Sequence, residues 1–513
     1  MPGVPEVLGV PDGSGAGCEA TGGEAHRSLG GLVRRGVAWT SLDVAVNRTG
    51  GFLMGLIVAR VLAPRDFGIY AVALVVHTIL INISDLGLGT ALIIGDEDEL
   101  AANAPTVTTI AMISGVVLGL LMALPAGEFA RLLGAPRAAD TIRVMALTLP
   151  LAGLVAVPSA LLRRAFRMDR MFVADTANTV VGGVVAIGLA LAGLGPVALA
   201  LSFVAGQLVT TVLVFVYSPA RYGPGWNRRR ARKLLRFGMP LVGANIVGLS
   251  IQNVDYIIVG RLLGAVPLGL YMLAFNMSGW PQNVFSAVIR SVSFPAFARM
   301  REDSRDMPRE FINALRMVSR LTLPVCLFLG ALSHPLIVFV YGPKWAAASH
   351  ALVGLSILAA GRTIMELFSD FLVSLERTRT LFVIQIVWFV PLTAALLVLV
   401  PRLGITGAGI AHATVADLIV VPTFVYCVYL VGVRPAMVAR TLLPAIAWTT
   451  LAAAIAWLIA SRVHVPAIAV AAGGSVGLGI YLIPYVGELR RALAGRDLRI
   501  RRRRQHAPAV EPA

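Results

Sequence analysis

From about residue 37 onward, apolar runs of about twenty residues or more alternate with short breaks rich in arginine, glycine, proline and small polar side chains. At 1.5 Å per residue, such a run crosses a hydrocarbon core of about 30 Å as an α-helix; a barrel strand would need about half as many residues. The runs predict helices at 37–62, 67–94, 105–125, 144–162, 171–192, 196–218 and 237–262. They continue at 267–292, 317–341, 348–375, 380–400, 404–430, 438–461 and 466–486, giving about fourteen transmembrane helices.

Composition agrees, because 57% hydrophobic residues, 14% charged residues and a mean hydropathy of +0.80 cannot be covered by a soluble surface. The fold class expected is an all-α integral membrane protein. Residues 1–30 are Gly- and Pro-rich and read as a disordered cytoplasmic tail. Cys18, Cys326 and Cys427 have no paired spacing, so neither a disulfide framework nor a metal site is expected, and nothing points to a cofactor.

Arginine and lysine in short loops favour the cytoplasmic side. With the N-terminus inside, 33 basic residues fall in cytoplasmic segments and 7 in outer loops. Losing one helix would reverse everything after it and destroy that bias, so both termini are expected to be cytoplasmic. Only Lys233 and Lys344 are lysines among 44 basic residues, a bias of GC-rich bacterial genomes, and the compartment expected is a bacterial inner (plasma) membrane. The C-terminal run Arg499–Arg504 follows a span directly, so anionic lipid headgroups are its expected partner and nucleic acid is not.

An internal repeat organises the chain. Ala59-Arg60-Val61-Leu62-Ala63 with Phe67-Gly68-Ile69-Tyr70 returns 201 positions later as Gly260-Arg261-Leu262-Leu263-Gly264 with Leu268-Gly269-Leu270-Tyr271. Gly193-Leu194 with Val197–Ala200 returns 211 positions later as Gly404-Ile405 with Ala408–Ala411. That offset is six helices, an even number, so the two copies enter the membrane in the same direction. Two parallel bundles with substrate between them near mid-membrane are expected. The domains are a six-helix lobe at 31–220, a basic cytoplasmic linker at 221–236, a second six-helix lobe at 237–432, two further helices at 433–487 and a basic cytoplasmic tail at 488–513.

At Ala59–Tyr70, Ser84–Ile93, Leu161–Arg167, Phe294–Arg299 and Tyr341–Trp345 the chain resembles the polysaccharide-transporter, or Wzx-type flippase, branch of the multidrug/oligosaccharidyl-lipid/polysaccharide exporter superfamily. The resemblance spans nearly the whole chain after residue 30. It implies an architecture like that of the multidrug exporters. It also implies flipping of a polyprenyl-diphosphate-linked glycan from the cytoplasmic to the outer leaflet, with glycan polymerase or assembly proteins as further partners.

Such cargo needs a cationic group at membrane depth, because a guanidinium engages diphosphate oxygens with parallel charge-assisted bonds. Arg48 is the first candidate, on a broad polar face of the first helix with Thr40, Ser41, Asp43, Asn47, Gly50, Gly51 and Gly55; Ala45 and Phe52 are expected opposite. Arg163 and Arg164 at a cytoplasmic mouth complete the substrate-binding candidates, although topology alone also explains them. For proton or cation coupling the candidates are Arg362, Glu366 and Asp370, which share one helix face at spacings of four, with Asp255 and Asp417. A self-neutralising ladder is the alternative reading of that face. Asp255 is expected toward the outer end of its helix, within reach of water. His412 and Asp417, five residues apart, do not share a helix face.

A membrane-embedded glycan polymerase or glycosyltransferase is disfavoured: the longest outer loop, near 126–143, carries just Glu128 and Asp140 as acids. Neither a zincin nor a phosphate-loop motif is present, so no catalytic residue is assigned. Within transporters, the competing reading is export of a drug or small amphiphile.

Overall fold

The structure, a computed structural model, describes residues 21–84, 92, 97–300 and 307–505; Cys18, Asp85 and most of the Ser84–Ile93 motif lie outside these. Among the described residues every regular element is helical. The N-terminal lobe comprises α1 (Thr21–Val61), α2 (Pro64–Ser84), α3 (Glu97–Ala123), the short α4 (Ala126–Leu132) and α5 (Ala139–Ala146), α6 (Thr148–Arg164), α7 (Met168–Leu191) and α8 (Pro196–Tyr217). The C-terminal lobe comprises α9 (Arg228–Leu263), α10 (Ala265–Met300), α11 (Met307–Ala331), the short α12 (Ser333–Tyr341), α13 (Ser349–Ser374), α14 (Thr378–Val415) and α15 (Val421–Tyr429). Helices α16 (Pro435–Ser461) and α17 (Pro466–Gln505) pack on each other and on α11 and α12. Helix α1 starts inside the stretch whose composition suggests a tail.

Eleven helical stretches among the described residues are long and apolar enough to cross a membrane. One of them, Arg379–Tyr429, has 51 residues, about 77 Å of helix and more than twice a hydrocarbon core. It is broken at Gly404 (φ 62°, ψ −143°), three residues after Pro401. Proline removes a backbone donor and only glycine adopts that φ without strain, so the chain turns back there.

The duplication is visible in the backbone. Gly195, at the start of α8, takes φ 56° and ψ −132°, nearly the conformation of Gly404, so the backbone matches Gly404 to Gly195 and not to Gly193, which the sequence repeat pairs with it. Phe166 (φ 52°) and Glu376 (φ 60°) are the non-glycine residues with positive φ among those described, and they occupy matching turns. In one, Arg167 N–H donates to Leu162 O at 3.0 Å and Phe166 N–H to Arg163 O at 3.1 Å; in the other, Arg377 N–H donates to Leu372 O at 3.0 Å and Glu376 N–H to Val373 O at 2.9 Å. Both turns satisfy helix-end carbonyls in the same way. A short helix followed by a 3₁₀ segment recurs in each lobe, α4 with Pro136–Ala138 and α12 with Pro343–Ala348.

Burial differs between helices according to their sequence. Helix α13, with Ala, Gly, Leu and Phe on every side, is 78% buried over its most apolar window and is the central post of the C-terminal lobe, against α10, α11 and α14. There Phe311 packs on Phe368 (5.1 Å) and Phe371 (4.6 Å). Helix α1 is 11% buried and packs mainly on α7. The lobes meet where α2 crosses α10 and α9, and where α1 reaches α12.

Candidate functional site

A cavity of about 680 Å³ lies between the lobes, walled by α1, α2, α10 and α12. Along α1 its lining runs from Ser41 through Ala45, Arg48 and Phe52 to Gly55, about 21 Å of helix. Arg48 is thirteen residues, about 20 Å, from the end of α1, well inside a 30 Å core. Asn276 and Trp280 of α10 stand across from it, with Phe67 and Tyr341 toward the α1–α2 turn.

The broad polar face expected for α1 divides into two stripes. Asp43, Asn47, Gly50, Met54 and Val58 face α7: Asn47 Oδ1 accepts from Thr179 Oγ1–H at 2.6 Å, a Cβ on Gly50 would touch Thr179, and Met54 lies over Gly183. Val58 packs with Ala186 and Ala190. Arg48, Ala45 and Phe52 face the cavity, so two residues expected opposite Arg48 share its surface. The reason is that α1 packs on α7 along one stripe and leaves a second stripe, Ala45, Arg48 and Phe52, to the cavity.

Asp43 and Asn47 therefore belong to a small polar cluster against α7. Asn47 Nδ2–H donates to Asp43 Oδ1 at 2.6 Å, and Asp43 and Arg163 are the charges acting on Asp175 of α7. Arg163 is exposed and bears on this cluster, while Arg164 is turned away from it, donating to Leu92 O at 3.0 Å. Asp175 and Thr179 are absent from the sequence-based candidates, although their spacing of four on one apolar helix was a readable signal.

A second polar cluster is enclosed in the C-terminal lobe. Asp255 is 1% exposed; its Oδ2 accepts from Tyr271 Oη–H at 2.6 Å and lies 3.2 Å from His412 Nε2. His412 Nδ1 is buried with no partner among the described residues, so the ring proton is better placed on Nε2, donated to Asp255. Arg362 lies over Phe275 (5.4 Å) and Trp388 (5.7 Å), and the acid acting on it is Asp255. The structure thus corrects the sequence reading twice. Asp255 is sealed by Tyr256, Tyr271 and Phe275 instead of reaching water, and Arg362 turns to a neighbouring helix instead of down a ladder to Glu366. Glu366 and Asp370 continue along α13, both half-buried. Asp417 sits in a one-turn π-helix, Ala416–Val420, against Gly361, where an added Cβ would lie 2.5 Å from its Oδ1.

At the end carrying the α1–α2 turn the lobes are latched. Arg60 of α1 donates through Nε to Val340 O at 2.7 Å and also to Phe339 O, at the end of α12. Lys344 Nζ–H donates to Leu62 O (2.7 Å) and Arg60 O (2.8 Å), and Trp345 Nε1–H to Ala59 O (2.8 Å). The repeat partner Arg261 mirrors Arg60, donating from the C-terminal lobe to Leu132 O at the end of α4, at 3.4 Å. Carbonyls at helix C-termini lack intrahelical partners and carry partial negative charge, so a guanidinium there is well matched.

Two pseudo-symmetric helical lobes, latched at one end around a cavity lined at membrane depth by an arginine, define a multi-pass membrane protein of the two-lobed exporter architecture. The comparisons with known proteins sharpen this: a family model described as polysaccharide biosynthesis protein matches residues 57–350, and the chain belongs to that family. It is 30% identical over 348 residues to the succinoglycan biosynthesis transport protein ExoT of Rhizobium meliloti (strain 1021), covering 66% of this chain and 68% of that one. It is 24% identical over 320 residues to the lipopolysaccharide biosynthesis protein WzxC of Escherichia coli (strain K12), covering 60% and 63%. In fold it is similar to the lipid II flippase MurJ in an inward closed conformation, with TM-score 0.71 and 14% identity over 88% of this chain and 100% of that one. It is also similar to an inward-facing multidrug resistance MATE family transporter, with TM-score 0.60 and 14% identity over 79% and 99%.

Proposed function

We propose that this protein is a flippase that carries a polyprenyl-diphosphate-linked oligosaccharide from the cytoplasmic to the outer leaflet of a bacterial inner membrane, for assembly of a cell-surface polysaccharide. The observation that carries the reading is Arg48 on the wall of an interlobe cavity of about 680 Å³. A diphosphate and its sugars cannot cross hydrocarbon unaided, whereas the polyprenyl tail is at home in lipid. Relatives named for succinoglycan transport and lipopolysaccharide biosynthesis support the cargo class.

In this reading both termini are cytoplasmic, in keeping with the basic residues, and the latched α1–α2 end faces outward. Taking Arg379–Tyr429 as two crossings and adding α9 and α10, each 36 residues long, brings the eleven apolar stretches to fourteen spans. The lobes rock about the α2–α10 crossing and expose the cavity to one side at a time. Arg48 takes the diphosphate, with Arg163 at the cytoplasmic mouth. The sealed Asp255–Arg362–His412 cluster and Asp417 on its π-turn are the coupling groups, because charges inside a bundle that bend a helix out of register mark working parts of transporters. A glycan polymerase accepts the product.

The test is genetic and chemical together. Deleting the gene in its own host is expected to stop surface polysaccharide and to build up a lipid-linked glycan in the cytoplasmic leaflet. The wild-type gene restores export and Arg48→Ala does not, although it is produced at wild-type level. Export at wild-type rate by Arg48→Ala removes the proposed route.

A further inference from the structure

Facing each other across the cavity are two helix-surface pairs, each a polar residue one turn from an aromatic one: Arg48 and Phe52 on α1, Asn276 and Trp280 on α10. The helices run in opposite directions, since α1 ends at the latched end and α10 begins there, with Ala265 against Gly68. Along the cavity the order is therefore Arg48, then the level where Phe52 meets Trp280, then Asn276. Each step is one helical turn, about 6 Å, and the whole spans about 12 Å.

Phe52 and Trp280 pack at 4.0 Å between ring centroids with planes at 74°. In a perpendicular pair the edge of one ring covers one face of the other, so further ring faces remain available to the cavity. Trp280 is half-buried and Asn276 exposed, both on the cavity wall. A pyranose presents C–H bonds on its faces and hydroxyls on its rim. It stacks on an aromatic face and hydrogen-bonds an amide, which both donates and accepts.

We propose that Phe52, Trp280 and Asn276 form a sugar subsite for the first residue of the glycan, directly beyond the diphosphate held by Arg48. This rests on the flippase reading above and adds to it a residue set that selects glycan-bearing over sugar-free lipid. Arg48 reads the charge common to all polyprenyl diphosphates; the aromatic pair and the amide read the ring.

The test is equilibrium binding by the purified full-length protein in lipid nanodiscs, with three probes: undecaprenyl diphosphate, undecaprenyl diphosphate-glucose and undecaprenyl diphosphate-galactose. Wild type is expected to bind at least one sugar-bearing lipid about tenfold more tightly than the sugar-free one. Trp280→Leu is expected to erase that preference while changing affinity for undecaprenyl diphosphate less than twofold; Trp280→Phe keeps most of it and Asn276→Ala loses part. Equal binding of all three lipids by wild type, or an equal loss for all three in Trp280→Leu, overturns the subsite and leaves the flippase reading standing. Failure of wild type to bind any of them overturns both.

Discussion

A Cβ on Gly68 would fall 1.7 Å from the Ala265 carbonyl oxygen, and a Cβ on Gly269 would fall 1.8 Å from the Pro64 carbonyl oxygen. Gly68 and Gly269 are 201 residues apart, as are Pro64 and Ala265, so each lobe lends the other the same surface. A self-complementary contact of this kind is how a two-fold axis is built. It places the crossing of α2 and α10 on the axis that relates the lobes, where rocking changes geometry least.

Alanine at either glycine is therefore expected to force the lobes apart. Because a backbone oxygen cannot move aside as a side chain can, Gly68→Ala and Gly269→Ala should each cost at least about 1–3 kcal/mol, the range for overpacking, and by similar amounts. Thermal unfolding of the purified protein checks this. Gly51→Ala, with nothing within 4 Å of the added carbon, is the control and should leave the midpoint unchanged or raise it slightly, since alanine favours a helix interior.

The two latches are related by the repeat but differ in strength. Arg60 makes two carbonyl contacts and sits beside Lys344 and Trp345, whereas Arg261 makes one at 3.4 Å. Arg60→Ala should shift the population toward opening at this end by about tenfold, and Arg261→Ala by less than about threefold, since a hydrogen bond to a charged group is worth about 1.5–3 kcal/mol when well formed. Spin labels at Arg137 and Arg402, on opposite lobes, report the shift as a longer-distance component.

In the C-terminal lobe, Tyr271 Oη–H donates to the buried carboxyl of Asp255. Asp255→Asn and Tyr271→Phe are each expected to destabilise the protein by about 1–3 kcal/mol, the cost of a buried polar group losing its partner, and the double substitution by clearly less than the sum. A double-mutant cycle on thermal stability measures the coupling. Additive losses would mean that Asp255 and Tyr271 do not act as a pair.

Phe166 and Glu376 hold left-handed backbone that favours glycine. Glu376→Val is expected to be less stable than Glu376→Gly, because both remove the same carboxylate but a β-branched side chain is strained at positive φ. Thermal midpoints of the two variants check the sign.

Much of the architecture is legible in the sequence, because apolar runs at helical length and a recurring Arg, Gly and Tyr at one offset follow from lipid solvation and helix crossing. Arg48 is legible for the same reason: an arginine deep in an apolar run has few places to go. What is not legible depends on contacts across the sequence. Asp255 and His412 each stand out in an apolar run, but they are 157 residues apart and nothing along the chain pairs them, and the direction in which Arg362 turns is decided by Phe275 and Trp388 on two other helices. Likewise the division of α1 into an α7 stripe and a cavity stripe depends on which flank is packed. Periodicity alone gives a face, and a helix held along one edge has two.

The most direct measurement is flipping in proteoliposomes: a fluorescent undecaprenyl diphosphate-linked sugar placed in one leaflet, with its arrival in the other read by a membrane-impermeant quencher. Wild type should speed transfer well above protein-free vesicles, and Arg48→Ala should fall to within about twofold of them, with Arg48→Lys between, because a lysine keeps the charge but loses the two-pronged grip. Transfer by Arg48→Ala at the wild-type rate would contradict a route past Arg48 through the cleft between the lobes.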